Sequence, residues 1–151
     1  MLCARGFSLL EVLIVVAILS IIGTAGIGYY RNAAKNIEIT SVVHTINSDL
    51  RAARSKAMAG QDGRRWGVHV VNNASDYYEV FSTPTTYADA GVVVDSTRFL
   101  TAGVSFSDPA ESNTKDIIFS GILGTTTASS ITITSQEESQ IITISALGTV
   151  Y

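Results

Sequence analysis

The chain has 151 residues, ten basic and thirteen acidic side chains, a net charge of −3 and a mean hydropathy of +0.30. That length allows one small domain, the charge excludes a broadly basic nucleic-acid binder, and the single cysteine, Cys3, excludes a fold held by disulfides. The charge is unevenly distributed: Arg31 to Arg65 holds seven basic and three acidic residues, whereas Trp66 to Tyr151 holds two basic and nine acidic. A basic stem therefore precedes an acidic head, and a solvated helix surface or contact with anionic headgroups or acidic neighbours accounts for the stem.

The first element is an apolar helix. From Phe7 to Tyr30 there are 24 residues without Arg, Lys, Asp, His or Pro. As a helix they span roughly 36 Å, enough to cross a bilayer. One carboxylate, Glu11, lies inside the run, where a charge costs roughly 2.5–3.5 kcal/mol on insertion scales. Glu11 therefore needs a partner, and cleavage between Gly6 and Phe7 would create one, an amine four residues before the acid. No second stretch approaches a membrane span, so the positive hydropathy comes from this run.

Gly6-Phe7-Ser8-Leu9-Leu10-Glu11-Val12 followed by the apolar run resembles the N-terminal signal of type IV pilins and pseudopilins. The resemblance implies that a prepilin peptidase cuts between Gly6 and Phe7 and methylates the Phe7 amine. It also implies that Glu11 pairs with the terminal amine of a neighbouring subunit in a filament. Residues 1–6 would be a leader, 7–30 the transmembrane and filament-core half of the helix, 31–60 an amphipathic half and 61–151 a β-rich head. An ordinary signal peptide with Arg5 as its basic region, and a plain signal anchor, compete with this reading. Arg5 on one side of the run and Arg31 and Lys35 on the other leave its orientation open; a cytoplasmic N-terminus and a head on the outer side of a bacterial inner membrane come from the resemblance. With Cys3 in the leader, the mature chain lacks the C-terminal disulfide loop of many pilins.

The helix is expected to continue to about Ala59. Ile39, Val42, Val43, Ile46, Leu50, Ala53 and Ala57 fall on one stripe at 100° per residue, with Ser41, His44, Ser48, Arg51 and Ser55 opposite. Gly60 and Asp62-Gly63 supply the stop. Gly23, Gly26 and Gly28 weaken the helix midway. Ile37 is apolar but lies off the stripe, either a tolerated exposed residue or a contact to a neighbouring helix.

After Gly63 the period changes to two. Trp66–Val71, Tyr77–Ser82, Thr97–Leu100, Val104–Phe106, Ile117–Ser120, Ile131–Ser135 and Ile141–Ala146 read as strands, separated by turn-rich pieces at 72–76, 83–91, 108–116, 121–130 and 136–140. The expected class is α+β: a long helix packed on an antiparallel sheet or sandwich. Leu50-Arg51-Ala52-Ala53-Arg54-Ser55-Lys56-Ala57, Trp66-Gly67-Val68, Ile118-Phe119-Ser120 with Gly121 or Gly124, Ile131-Thr132-Ile133 and Ile142-Thr143-Ile144-Ser145 with Gly148 resemble the H-type minor pseudopilins of type II secretion and related minor pilins (GspH/FimT-like). Some relatives on the pilus side bind DNA through arginines in the tail after that glycine; Gly148-Thr149-Val150-Tyr151 has none, so the tail gives no support for nucleic acid.

Other chemistry is weakly signalled. His44 and His69 have no ligands at metal spacing and read as exposed residues. Gly23-x-x-Gly26-x-Gly28 follows no strand, and Gly121-Ile122-Leu123-Gly124-Thr125 lacks the lysine of a phosphate loop. No serine sits in an elbow motif. Asn73-Ala74-Ser75 matches a glycosylation sequon. Arg64-Arg65-Trp66 fits either base stacking or a strand start with Trp66 in the core. The reading is thus a structural minor pseudopilin: no enzyme, cofactor, metal or small-molecule substrate, with other pilin subunits, the peptidase and the inner membrane as partners. A minor pilin of a type IV pilus or DNA-uptake machine, and a membrane-anchored periplasmic β domain that binds a ligand without a filament, are the alternatives.

Overall fold

The computed structural model describes residues 8–135 and 138–151, with residues 24–36 described by backbone alone. One helix, α1, runs Leu9–Met58. Its backbone stays helical through Gly23, Gly26 and Gly28. Contacts divide the chain into two compact units, Met1–Ile37 and Glu38–Tyr151. A 3-10 turn at Gln61–Gly63 follows α1; Gly60 precedes it with φ 62°, in the left-handed region that ends helices.

Seven strands follow: β1 (Arg65–Val71), β2 (Tyr77–Thr83), β3 (Val93–Phe99), β4 (Val104–Asp108), β5 (Thr114–Phe119), β6 (Ser129–Ser135) and β7 (Glu138–Ile144). They form a four-stranded sheet, β3-β2-β1-β5, and a three-stranded sheet, β4-β6-β7. Every named pairing is antiparallel. The architecture is the expected α+β, realised as two small sheets.

Register explains the core. Val68 lies opposite Val80 on one side and Ile117 on the other, and Ile131 lies opposite Ile142. Because strand side chains alternate, these pairs bring Trp66, Val68, Val70, Tyr78, Val80, Ile117 and Phe119 from the larger sheet into one cluster. Val104, Phe106, Ile131, Ile133, Ile142 and Ile144 join it from the smaller sheet. The cluster is completed by Ile39, Ile46, Leu50, Ala53 and Ala57 of α1, with Val42 and Val43 half-buried at its margin. Ser41, His44, Ser48, Arg51 and Ser55 are exposed, as the helix period requires.

Polar contacts hold the two flanks of α1 to different sheets. Toward the larger sheet, Lys56 pairs with Asp95 at 2.8 Å, Arg98 with Asp49 at 2.9 Å, and the Tyr78 hydroxyl donates to Asp49 at 2.8 Å. Burial first, then Asp49, pushes the Tyr78 hydroxyl far above its ordinary pKa, so it stays a donor. Toward the smaller sheet, Gln140 donates to Thr40 at 3.4 Å, and Arg51 and Arg54 donate to backbone carbonyls.

Several boundaries differ from expectation. β3 begins at Val93 rather than Thr97; it is an edge strand, exposed over most of its length, so its early residues carry no burial pattern. β5 begins three residues before Ile117, in Thr114-Lys115-Asp116, where backbone pairing to Val71, Val70 and His69 outweighs polar side chains. β7 begins at Glu138, within the expected 136–140 turn, because Ser135 pairs directly with Glu138. It ends at Ile144, two residues early, because Ser145 N–H instead donates to Thr149 O at 2.9 Å.

Candidate assembly surfaces

In the first unit, the helix start is set by a side chain. Ser8 is non-helical, its Oγ accepts from Glu11 N–H at 3.2 Å, and its carbonyl accepts from Val12 N–H at 3.2 Å. Ser8 is thus the N-cap and Glu11 the third helical residue, the spacing of a capping box. A carboxylate in the first turn also meets the positive end of the helix dipole. The sequence reading of Glu11 left this out, although Ser8-x-x-Glu11 was its signal.

Glu11 is exposed, and so is every residue from Leu9 to Gly23. Leu10, Leu13, Leu19, Ile21 and Ile22 are all above 60% exposed. Those positions do not share one face. A helix apolar all round has no solvated side and requires an apolar environment on every side. The proposed cleavage residues Gly6 and Phe7 lie outside the described residues, as does part of the expected 7–30 span. Among the described residues, no helix is long and apolar enough to cross a membrane.

In the second unit, residues distant in sequence meet at the C-terminal end of α1. Arg54 donates to Leu147 O at 2.8 Å and to Gly124 O at 3.3 Å; Arg51 donates to Val150 O at 3.2 Å. Gly148 has φ 74°, and a Cβ there would lie 2.0 Å from Gly124 O. A Cβ on Gly124 would meet the Met58 side chain at 2.8 Å. Glycine is required at both positions by close approach and by φ. The tail returns along β7: Tyr151 N–H donates to Thr143 O at 3.0 Å, and Ile144 bridges Val150. The arginines at the end of the helix and the two glycines thus form a single interlocked contact.

Trp66 is 3% exposed, its indole N–H donates to Gln61 O at 3.2 Å, and Lys56 sits 4.3 Å from the ring centre. It is a core residue at a strand start, with no ring offered for stacking on a base. Arg64 donates to Gly91 O at 2.7 Å.

His44 is exposed as expected, but His69 corrects the sequence reading. It is 7% exposed, lies 2.5 Å from Asp116 and stacks on Tyr87 with centroids 3.6 Å apart. Tyr87 also meets Phe81 edge-on at 4.9 Å and donates to Glu79 at 2.5 Å. Desolvation, then Glu79, raises the Tyr87 hydroxyl well above its usual range. The segment before β3 therefore covers the outer face of the larger sheet, and β1 is buried on both faces from Trp66 to Val71. The signal was the nearly unbroken apolar run of β1; what covers it lies in a turn-rich stretch with no period. Among the described residues, no group of three or more His, Cys, Asp or Glu could hold a metal.

Comparison with known families gives two matches. Residues 1–27 match the prokaryotic N-terminal methylation motif, and residues 42–148 match the type II transport protein GspH. Neither the curated proteins nor the solved structures give a match. The second family match covers most of the chain and includes the Arg54–Gly124–Gly148 contact; the chain belongs to the GspH family of type II secretion pseudopilins and related pilin-like proteins.

Proposed function

We propose that this chain is a minor pseudopilin that is processed between Gly6 and Phe7, N-methylated on Phe7, and assembled through its apolar helix into a periplasmic pseudopilus for protein secretion. Residues 1–6 are the leader and 7–30 the segment held by the inner membrane before assembly. Residues 31–60 form the amphipathic half, and 61–151 the head on the outer side. Its partners are the prepilin peptidase and other pilin subunits, and its role is structural rather than catalytic.

The observation that carries this reading is an apolar helix exposed on every side with one carboxylate in its first turn. Such a helix is stable only in lipid or among other apolar helices. An unpaired charge there is costly, so Glu11 is retained for pairing with a neighbouring Phe7 amine. Membrane insertion alone does not need the acid; assembly does.

The test is to replace Glu11 with Ala or Leu in the full chain and measure membrane insertion and crosslinking to other pilin subunits. Insertion stays intact or improves, and crosslinking falls. Unchanged assembly of both variants would remove Glu11 from the mechanism.

A further inference from the structure

The larger sheet ends on an edge that the fold leaves open. β3 pairs with β2 alone. Leu100 N–H donates to Asp76 O at 2.9 Å, which fixes the phase of that ladder. Arg98 and Ser96 therefore turn their backbone groups toward β2, and Thr97 and Phe99 turn theirs away from it. Those outward N–H and C=O groups have no partner among the described residues. Edges are usually guarded by charged side chains, proline or bulges. β3 contains no proline, and its two charged side chains are folded back onto α1, Asp95 on Lys56 and Arg98 on Asp49. The register shift opposite Val80 and Phe81 guards only the first half of the strand.

The two sides of the free stretch offer different chemistry. On the outer face, Phe99 is 69% exposed and lies against Tyr77 with ring centroids 5.5 Å apart, an apolar shelf. On the α1 side, an open groove of about 260 Å³ runs beside the strand; Val42 and Leu100 are its apolar wall, Ser41, Thr45 and Thr101 bring hydroxyls, and Arg98 brings the charge. Asp49 accepts from Arg98 Nε at 2.9 Å and from the Tyr78 hydroxyl at 2.8 Å, so the guanidinium is held by its inner edge. Its two terminal nitrogens have no hydrogen-bond partner among the described residues, and the side chain is half exposed. The adjoining groove beyond Thr101 holds Asp76, whose carboxylate is taken up by the N–H groups of Asn73 and Phe106. The unused donors are therefore those of Arg98 and of the strand edge.

We infer that β3 receives an extended segment from the head of a different pilin-like subunit, added to the larger sheet as a fifth strand. Such a segment takes the free backbone groups of Thr97 and Phe99 and presents alternate side chains to the two faces. The edge selects them: an apolar residue against the Tyr77–Phe99 shelf and, next to it in sequence, a carboxylate on the free fork of Arg98. Two copies of β3 do not satisfy each other, because the acid in their own Val94-Asp95 pair is held by Lys56. The inference rests on the pseudopilin reading, which supplies a different subunit as neighbour, and adds the surface, the strand pairing and the chemistry selected.

The experiment places the photocrosslinker p-benzoylphenylalanine at Thr101, at the mouth of the groove, in the full chain. The cells make the other pilin-like subunits of the same machine and the peptidase, and Ser48 carries the crosslinker as a control position. Irradiation should join Thr101, and not Ser48, to another pilin-like subunit, and peptide mapping should place the join beside an apolar residue followed or preceded by Asp or Glu. Arg98→Lys keeps a charge for Asp49 but loses the fork, and the crosslink should fall about tenfold, the loss of one charge-assisted pair. Exchanging the mapped acid for its amide should cause the same loss, with no further loss when combined with Arg98→Lys. Thr97→Pro removes an N–H that the fold does not use, so thermal unfolding should stay close to that of the parent while the crosslink falls as far. If Thr97→Pro does not fold, Arg98→Lys decides. A join to a second copy of this chain, a join to a segment without the apolar–acid pair, or a yield unmoved by Arg98→Lys overturns the inference. Intact mass from the same cells separates the two claims. Processed chain with no join at Thr101 sinks the docking and leaves the pseudopilin reading; unprocessed chain with the Arg98-dependent join sinks that reading and leaves the docking.

Discussion

At the scale of single residues, the glycines separate two costs that are usually mixed. Gly60 and Gly148 both have positive φ, 62° and 74°, but a Cβ on Gly60 meets nothing within 4 Å whereas one on Gly148 falls 2.0 Å from Gly124 O. Gly60→Ala should therefore cost only the left-handed penalty, about 1–2 kcal/mol. Gly148→Ala should cost that and the displacement of a backbone segment, at least about 3 kcal/mol in total. Urea denaturation of both variants measures the difference; equal costs would mean that the tail does not lock against the loop at Gly124. Asp108 supplies a pH prediction. Burial raises its pKa, but hydrogen bonds from Lys115 and Ser130 and the Lys115 charge outweigh that and hold it below the usual carboxylate value. A depressed folded pKa gives stability that is present above the unfolded value of about 3.9 and lost as pH falls through the folded one. Stability should thus drop on acidification below about pH 4, and Asp108→Asn should flatten that drop while lowering stability at neutral pH. Residues of this kind were the least legible. Glu11 stood out as a charge in an apolar run, but its Ser8 cap was overlooked, and the His69 pair depends on Asp116 and Tyr87, which no sequence spacing connects.

At the scale of elements, the helix stripe was legible because a 3.6-residue period survives without knowledge of what covers it. Leu50 is fully buried and Ser48 is exposed, so the two positions test that packing directly. Leu50→Ala should destabilise the protein by roughly 2–5 kcal/mol. Ser48→Ala should change stability by less than about 0.5 kcal/mol. Similar costs would mean that α1 does not pack on this face. Ile37, off the stripe, is 71% exposed, so Ile37→Ser should leave stability unchanged, and any effect should appear in assembly. All seven strands were visible in the sequence, but the ends of β3, β5 and β7 were not. Those ends are held by backbone pairing at exposed or polar positions, where the period-two signal is absent. The division of the strands into two sheets was equally hidden, since register is a property of pairs and not of single strands.

At the scale of the whole molecule, part of the uneven charge read from the sequence is used locally, within the head. Basic side chains late in α1 anchor the head by donating to carbonyls of the tail and of the Gly124 loop, and Lys56 pairs with Asp95. The family motifs were legible as short strings, and their meaning became clear only when Arg54, Gly124 and Gly148 met in space. The central claim, that this is a processed pseudopilin, concerns residues 1–7, which lie outside the described structure, and is tested most directly by the mass of the mature chain. Intact-mass analysis of the protein purified from membranes containing a prepilin peptidase should show loss of Met1–Gly6 and gain of one methyl group on Phe7. A mature N-terminus beyond Ala25 would establish a cleaved signal peptide instead and contradict the account.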